Sequence, residues 1–269
     1  MSVINTNVSS LFAQASIKVN AREMQHTMSS LSTGKRINSA ADDAAGSGIA
    51  STMTADIRGL AQAVRNSNDA ISLLQTADGA LIETTNMLQR MRELAVQATS
   101  GTYSTKQLAY NDKEYQALMT QIGKVAAETK WNGITTGAAN TFLFGASGNG
   151  ATNVTVSTSA TDATTLTLTG SQVTTEVLGA AAVGFVDAAL DAVNTQRAVL
   201  GAGINQLTYA GDNMQNIATN TAASRSRIED TDYAVATTTL AKTQIIQQAA
   251  TAMLAQANQQ PQSVLALLK

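Results

Sequence analysis

Apolar side chains recur at alternating steps of four and three through Met53, Ile57, Leu60, Val64, Ser67, Ile71, Leu74, Asp78, Leu81, Thr85 and Leu88, with three polar interruptions. Such steps return to one face of an α-helix, so the pattern predicts a heptad seam. Carried to the last helical residue before Gly101 it spans about fifty residues, or ~75 Å at 1.5 Å per residue. Asp78-Gly79 would mark a turn elsewhere, yet the phase passes through it and the helix is expected to stay unbroken. A second helix is expected from about Ser104 to Thr129, striped by Leu108, Tyr115, Leu118, Ile122 and Val125, and its short connection makes it antiparallel to the first. Four-three spacing returns in Leu200, Ile204, Leu207, Gly211, Met214, Ala218, Thr221, Arg225 and Ile228, giving a third long helix.

Both ends of the chain carry weakly charged amphipathic segments. Near the start, Leu11, Phe12, Ala15, Val19, Met24, Met28 and Leu31 form an apolar stripe before Gly34 breaks the helix. Near the end, Leu240, Ile245, Ile246, Ala249, Ala250, Met253, Leu254 and Ala257 alternate with Gln244, Gln247, Gln248 and Gln256. That face asks for burial, and its natural partner is another copy of itself. Strand-like alternation appears only in Phe142-Leu143-Phe144, Val154-Thr-Val156 and Leu166-Thr-Leu168, read as short β-hairpins and loops at one end of a helical rod.

Composition narrows the function. Aromatics make up 4% of 269 residues, with one Trp, too few for an ordinary large enzyme core. Ala, Thr, Ser, Asn and Gln fill that place and suit closely packed long helices. A net charge of −2 with 13% charged residues leaves no basic face for nucleic acid and no polybasic membrane anchor. No run approaches the ~20 apolar residues of a membrane span. Without Cys there are neither disulfides nor thiolate metal sites. The first residues lack a basic start and an apolar core, so no cleavable secretory signal is expected and export needs another route.

Candidate chemistry is sparse, and neither cofactor nor metal is expected. His26 stands alone with Arg22 and Glu23 and reads as a surface or interface residue; a zinc site of the His-Glu-x-x-His type needs a second His. Asp42-Asp43 lacks a catalytic partner and reads as helix capping or linker hydrogen bonding. Lys35-Arg36 reads either as a solvated loop or as a pair of cations that meets acidic groups of the same or a neighbouring chain. Arg90, Arg92 and Glu93 read as polar contacts between subunits, and the Met residues as core or interface fillers. Gly46 and Gly48 read as backbone hinges. The Ser/Thr tract from Thr152 to Thr175 is read as an unmodified polar tip rather than a carrier of O-linked sugars.

Several stretches together resemble one family, bacterial flagellin. They are Ile4-Asn-Thr-Asn-Val-Ser-Ser-Leu11, Leu31-Ser-Thr-Gly-Lys-Arg-Ile-Asn-Ser-Ala-Ala-Asp-Asp-Ala-Ala-Gly46, Asn68-Asp-Ala-Ile-Ser-Leu-Leu-Gln-Thr-Ala-Asp-Gly79, Met91-Arg-Glu-Leu-Ala-Val-Gln97, Trp131-Asn-Gly133, Arg197-Ala-Val-Leu-Gly-Ala202, Ser226-Arg-Ile-Glu-Asp230 and the C-terminal run. Taken in order, they cover everything except roughly residues 135 to 190. Trp131 takes the place of the aromatic in the family's Phe-Asn-Gly pattern.

The resemblance implies a mainly α fold, a long antiparallel helical bundle with a small β-hairpin region, whose terminal helices pair as an inner coiled coil. It divides the chain into an inner core of residues 1–38 and 231–269, an outer tube of residues 39–131 and 181–230, and a short variable tip of residues 132–180. It places self-assembly on the inner helices at Leu11, Phe12, Met24, Met28, Leu31, Leu240, Ile245, Ile246, Met253 and Leu254. Polar spoke contacts fall to Lys35, Arg36, Asp42, Asp43, Arg227, Glu229 and Asp230.

It further implies a polymer of many copies, exported unfolded through the flagellar type III apparatus. An export chaperone would hold the C-terminal helix, and cap and hook-filament junction proteins would adjoin the polymer. Host Toll-like receptors recognise a patch matched here by Gln89, Arg90, Leu94 and Glu114. The nearest rival within the same export family is a hook-filament junction protein. A secreted coiled-coil effector or adhesin is the rival from another class, and an enzyme is the weakest reading.

Overall fold

The computed structural model describes residues 6–136, 140–144, 154–158 and 162–267, with side chains described outside 137–161 and 260–267. Ile4 and Asn5 of the first motif and the last two residues of the C-terminal run lie outside it, as does part of the Ser/Thr tract. Five helices dominate: α1 (Val8–Thr33), α2 (Ala44–Ala98), α3 (Thr105–Glu128), α4 (Glu176–Glu229) and α5 (Tyr233–Leu267). Two antiparallel hairpins lie between α3 and α4, β1 (Lys130–Trp131) with β2 (Ile134–Thr135), and β3 (Asn140–Phe144) with β4 (Val154–Thr158). The chain forms two compact units, one of residues 1–57 and 219–269, the other of residues 58–218.

In the unit of residues 58–218, α2, α3 and α4 bury a shared core of Leu74, Leu88, Met91, Leu94, Tyr115, Ile122, Val186, Val193, Leu200 and Leu207. α2 runs unbroken through Asp78-Gly79, as its phase requires. Its burial is wider than one seam, because Ala70, Leu73, Ala77, Thr84 and Met91 are enclosed beside the heptad positions: α3 and α4 cover two faces. The polar interruption at Asp78 is an interhelical contact, with Arg197 Nε 2.8 Å from its carboxylate. α4 runs antiparallel to α2, Asp78 meeting Arg197 and Arg92 meeting Asp187. Gly179 packs so tightly on α2 that a Cβ there would lie 2.9 Å from Cβ of Ala98.

The middle segment departs from expectation at Leu166-Thr-Leu168, which forms turns rather than a strand. Thr167 adopts φ 57°, while Leu166 and Leu168 drop into the helical core with Val173. Backbone bonds from Leu166 to Asp162 and from Leu168 to Ala163 hold the turns, and Tyr115 Oη shares a 2.9 Å hydrogen bond with Ser171 Oγ beneath them. Phe142 pairs with Val156 in the second hairpin, as the alternation predicts. The first hairpin turns through Asn132 and Gly133, at φ 48° and 83°, a tight turn that favours these two residues. α4 starts at Glu176, ahead of the expected boundary at 181.

In the unit of residues 1–57 and 219–269, α1 packs along α5. Asn7 caps α1, its side-chain oxygen accepting from Ser10 N, and Gly34 ends the helix at φ 73°. Asp232 caps α5 by accepting from Ala234 N at 2.8 Å. Pro261 sits inside α5 without ending it. Gly46 and Gly48 are not hinges: both lie in the first turns of α2. A Cβ on Gly46 would stand 2.8 Å from Cδ1 of Ile37 and against the Asp43 carboxylate, whereas Gly48 faces open space.

Candidate assembly surface

The pairing of α1 with α5 reverses the usual polarity of a helix pair. Between the helices lie small or polar residues: Ser10, Asn20, Thr27, Ser30, Ala236 and Thr243 are all buried. Asn20 Nδ2 donates to the Thr243 carbonyl at 2.9 Å and to Gln247 Oε1 at 3.0 Å. Asn7 Nδ2 donates to the Ala257 carbonyl at 2.7 Å. The large apolar side chains face outward instead. Phe12 is 75% exposed, Ile245 67% and Met253 65%, and Leu11, Met28 and Ile246 are exposed with them. Met24, Leu31, Leu240 and Leu254 flank the seam and are half-buried. Sequence reading placed Gln247 on the polar side of its helix but gave no pairing role to it or to Asn7, Asn20 and Thr243; an Asn inside an apolar stripe, next to Val19, was the available signal.

Phe12, Met253 and Ile246 line two adjoining grooves. One collects Val8, Phe12, Met253 and Ala257. The next collects Val19, Asn20, Thr243 and Ile246, and Ser16 borders both. A solvated surface of this kind costs free energy until covered, since full burial of one such side chain contributes ~1.5–3 kcal/mol.

The linkers at the base of the pair are tied within the chain. Lys35 and Asp230 form an isolated antiparallel bridge, with Arg36 N donating to the Glu229 carbonyl at 2.6 Å and Thr231 N to the Gly34 carbonyl at 3.0 Å. Lys35 Nζ lies 2.5 Å from the Glu229 carboxylate, and Arg36 reaches the Ile228 carbonyl at 2.7 Å. Asp42 accepts from the backbone of Ser39 and Asn38, which holds its carboxyl below the usual range, and it faces His26 at 3.3 Å. Asp43 caps α2 by accepting from Gly46 N at 2.8 Å. Asp230 accepts from Ser226 Oγ at 2.6 Å, while Arg227 is exposed in the last turn of α4, where its charge suits the helix dipole.

The candidate receptor patch falls on α2 and α3. Arg90 binds Glu93 and Glu114, each at 2.9 Å, and Gln89 is exposed beside it. Leu94 departs from expectation: at 2% exposure it belongs to the core, because it lies on the face of α2 that the other helices cover. Within this chain Arg90 pairs with Glu93, and Arg92 meets Asp187 at 2.6 Å. Both guanidinium groups are held above their usual range by those carboxylates. Among the described residues no group of three or more His, Cys, Asp or Glu is placed to hold a metal, and no helix is long and apolar enough to cross a membrane.

Known proteins share both helical ends of the chain. The family model for the bacterial flagellin N-terminal helical region matches residues 4–136, and that for the C-terminal helical region matches residues 183–268. A flagellin of Halalkalibacterium halodurans is 39% identical over 271 residues, covering 99% of this chain and 100% of its own. A flagellar filament 33 kDa core protein of Treponema phagedenis is 36% identical, with 99% and 100% coverage. The crystal structure of Bacillus cereus flagellin superimposes with a TM-score of 0.50 at 32% identity, over 60% of this chain and 94% of that one. Two family models at the helical ends, together with relatives matched over nearly their whole length, establish that this chain belongs to the bacterial flagellin family.

Proposed function

We propose that the chain is the repeating structural subunit of the extracellular filament of a bacterial flagellum. The observation that carries this reading is the inverted polarity of the α1–α5 pair, which keeps polar groups inside and sets Leu11, Phe12, Ile245 and Met253 in water. Copies stacked along one another would cover those side chains, and a heterologous contact repeated without closure makes an open helical filament. Family membership supports the same role and its location outside the cell. The Gln-rich, nearly uncharged C-terminal helix suits the wall of a channel through which unfolded chains pass, since fixed charges would retain residues of opposite sign.

The finer partners follow from the family resemblance: an export chaperone on α5, the type III export apparatus, a cap and junction proteins at the filament ends, and a host Toll-like receptor at Gln89, Arg90 and Glu114. Sedimentation and negative-stain microscopy of the purified monomer test the central claim, alone and with sheared filament seeds, beside a chain lacking residues 235–269. Long filaments from the full chain and none from the truncated one are expected. A full chain that stays monomeric with seeds and high salt would overturn it.

A further inference from the structure

We infer that Asn20 and Asn7 set the register in which α5 lies against α1, and that this register aligns outward apolar residues of the two helices, Phe12 with Met253 and Val19 with Ile246, into shared grooves. The inference rests on the reading of that face as the assembly surface.

Among the described residues, ties at three levels join the two helices and their linkers. Gly34 meets Thr231 at the linker, Asn20 meets Thr243 and Gln247 midway, and Asn7 meets Ala257 at the far end. Thirteen residues separate Asn7 from Asn20 and fourteen separate Ala257 from Thr243, so the ties are antiparallel and about two heptads apart. The rest of the seam has little shape of its own. Ser10, Thr27, Ser30 and Ala236 are small, and a slip of one heptad would set Thr27 against Thr243 without a clash of large side chains at that level.

Asn20 makes that slip unfavourable. It is 8% exposed, and its amide spends both hydrogens on α5. Moving α5 by seven residues would bring Ala250 and Leu254, or Ala236 and Leu240, to the places of Thr243 and Gln247. The buried amide would lose its side-chain acceptor, and an unmet buried donor costs more than the bond contributes. A single buried Asn fixes the register of coiled coils for the same reason. The slip would also part Phe12 from Met253 and Val19 from Ile246, which share grooves in the native register. The linker cannot do this work unaided, because Gly34 lies about 21 Å along α1 from Asn20.

Cysteine pairs read the register cleanly, since the chain has no Cys. In the full-length chain, Thr27→Cys with Ala236→Cys marks the native register, and Thr27→Cys with Thr243→Cys marks a one-heptad slip. Intrachain crosslinks are scored by their faster-migrating monomer band. With Asn20 present, the first pair should crosslink and the second should not. Asn20→Leu, similar in volume but apolar, should admit the second crosslink and raise the critical concentration for polymerisation about tenfold. Asn20→Ala and Asn7→Ala should move both readouts in the same direction. A merely stabilising Asn20 gives another result: the Leu variant polymerises as well as the parent or better, with only the first pair crosslinked, and that overturns the inference. A parent chain that never polymerises counts against the filament reading alone, because the same crosslinks read in the monomer still decide the register.

Discussion

Lys35 Nζ lies 2.5 Å from Glu229 Oε1, joining the linker after α1 to the last residue of α4 where their backbones also pair. Arg225 Nε stands 3.8 Å from the same carboxylate, which is the more buried partner of both cations. Glu229→Ala therefore removes two contacts at once and should cost about 1 kcal/mol, while Lys35→Ala, whose side chain is half in water, should cost about 0.5 kcal/mol or less. Thermal unfolding of the monomer in low and high salt checks this, with the Glu229 effect shrinking as salt screens it.

Phe12 and Ile245 point into water in the isolated chain. Phe12→Ser and Ile245→Asn should leave the monomer's stability within about 0.5 kcal/mol of the parent. In the filament each loses a burial worth ~1.5–3 kcal/mol, so the critical concentration should rise roughly 10- to 100-fold. Circular dichroism of the monomer and sedimentation of the polymer separate the two effects.

Gly46 and Gly48 look alike in sequence and differ in surroundings. Gly46→Ala pushes a methyl group into Ile37 and the Asp43 cap of α2, at an expected cost of about 1–3 kcal/mol. Gly48→Ala meets open space inside a helix and should stabilise by about 0.5–1 kcal/mol. Denaturant unfolding of the two variants side by side gives the comparison.

Two groups should give the unfolding curve opposite pH dependences. The carboxyl of Asp42 is lowered by its backbone hydrogen bonds from Ser39 and Asn38, so its contribution is present at neutral pH and is lost as pH falls through the lowered value. Asp42→Ala should be less stable than the parent at pH 7, and the difference should vanish in acid. The hydroxyl of Tyr115 is raised by burial, so its contribution is present at neutral pH and is lost as pH rises through the raised value. Tyr115→Phe loses a hydrogen bond worth about 1 kcal/mol at neutral pH and should flatten the alkaline limb of the curve.

The long helices were legible because a repeat of apolar residues over seven or more turns has one helical explanation. Gly34 ends α1 where a positive φ is needed, and Asp43 and Asp232 cap helices where short acceptors precede them. Leu166-Thr-Leu168 misled because period-two alternation over three residues is compatible with a turn that drops two leucines into a core supplied by other segments. Leu94 misled in a similar way: its place in a motif says nothing of which side of α2 the neighbouring helices cover.

By itself the sequence determined the helical segments, their breaks, the weak charge of both ends and the family, since periodicity, capping and motif order are local properties written along the chain. Only the tertiary structure decided which face each helix presents. The C-terminal stripe reads as a face that asks for burial by another copy, but nothing in it shows that α1 and α5 meet through Asn20, Thr27 and Thr243 and leave Phe12 and Ile245 outside. Helix periodicity shows that one face differs from the rest; which neighbour covers it depends on hydrogen bonds between residues more than two hundred positions apart, such as those of Asn20 with Thr243 and Gln247.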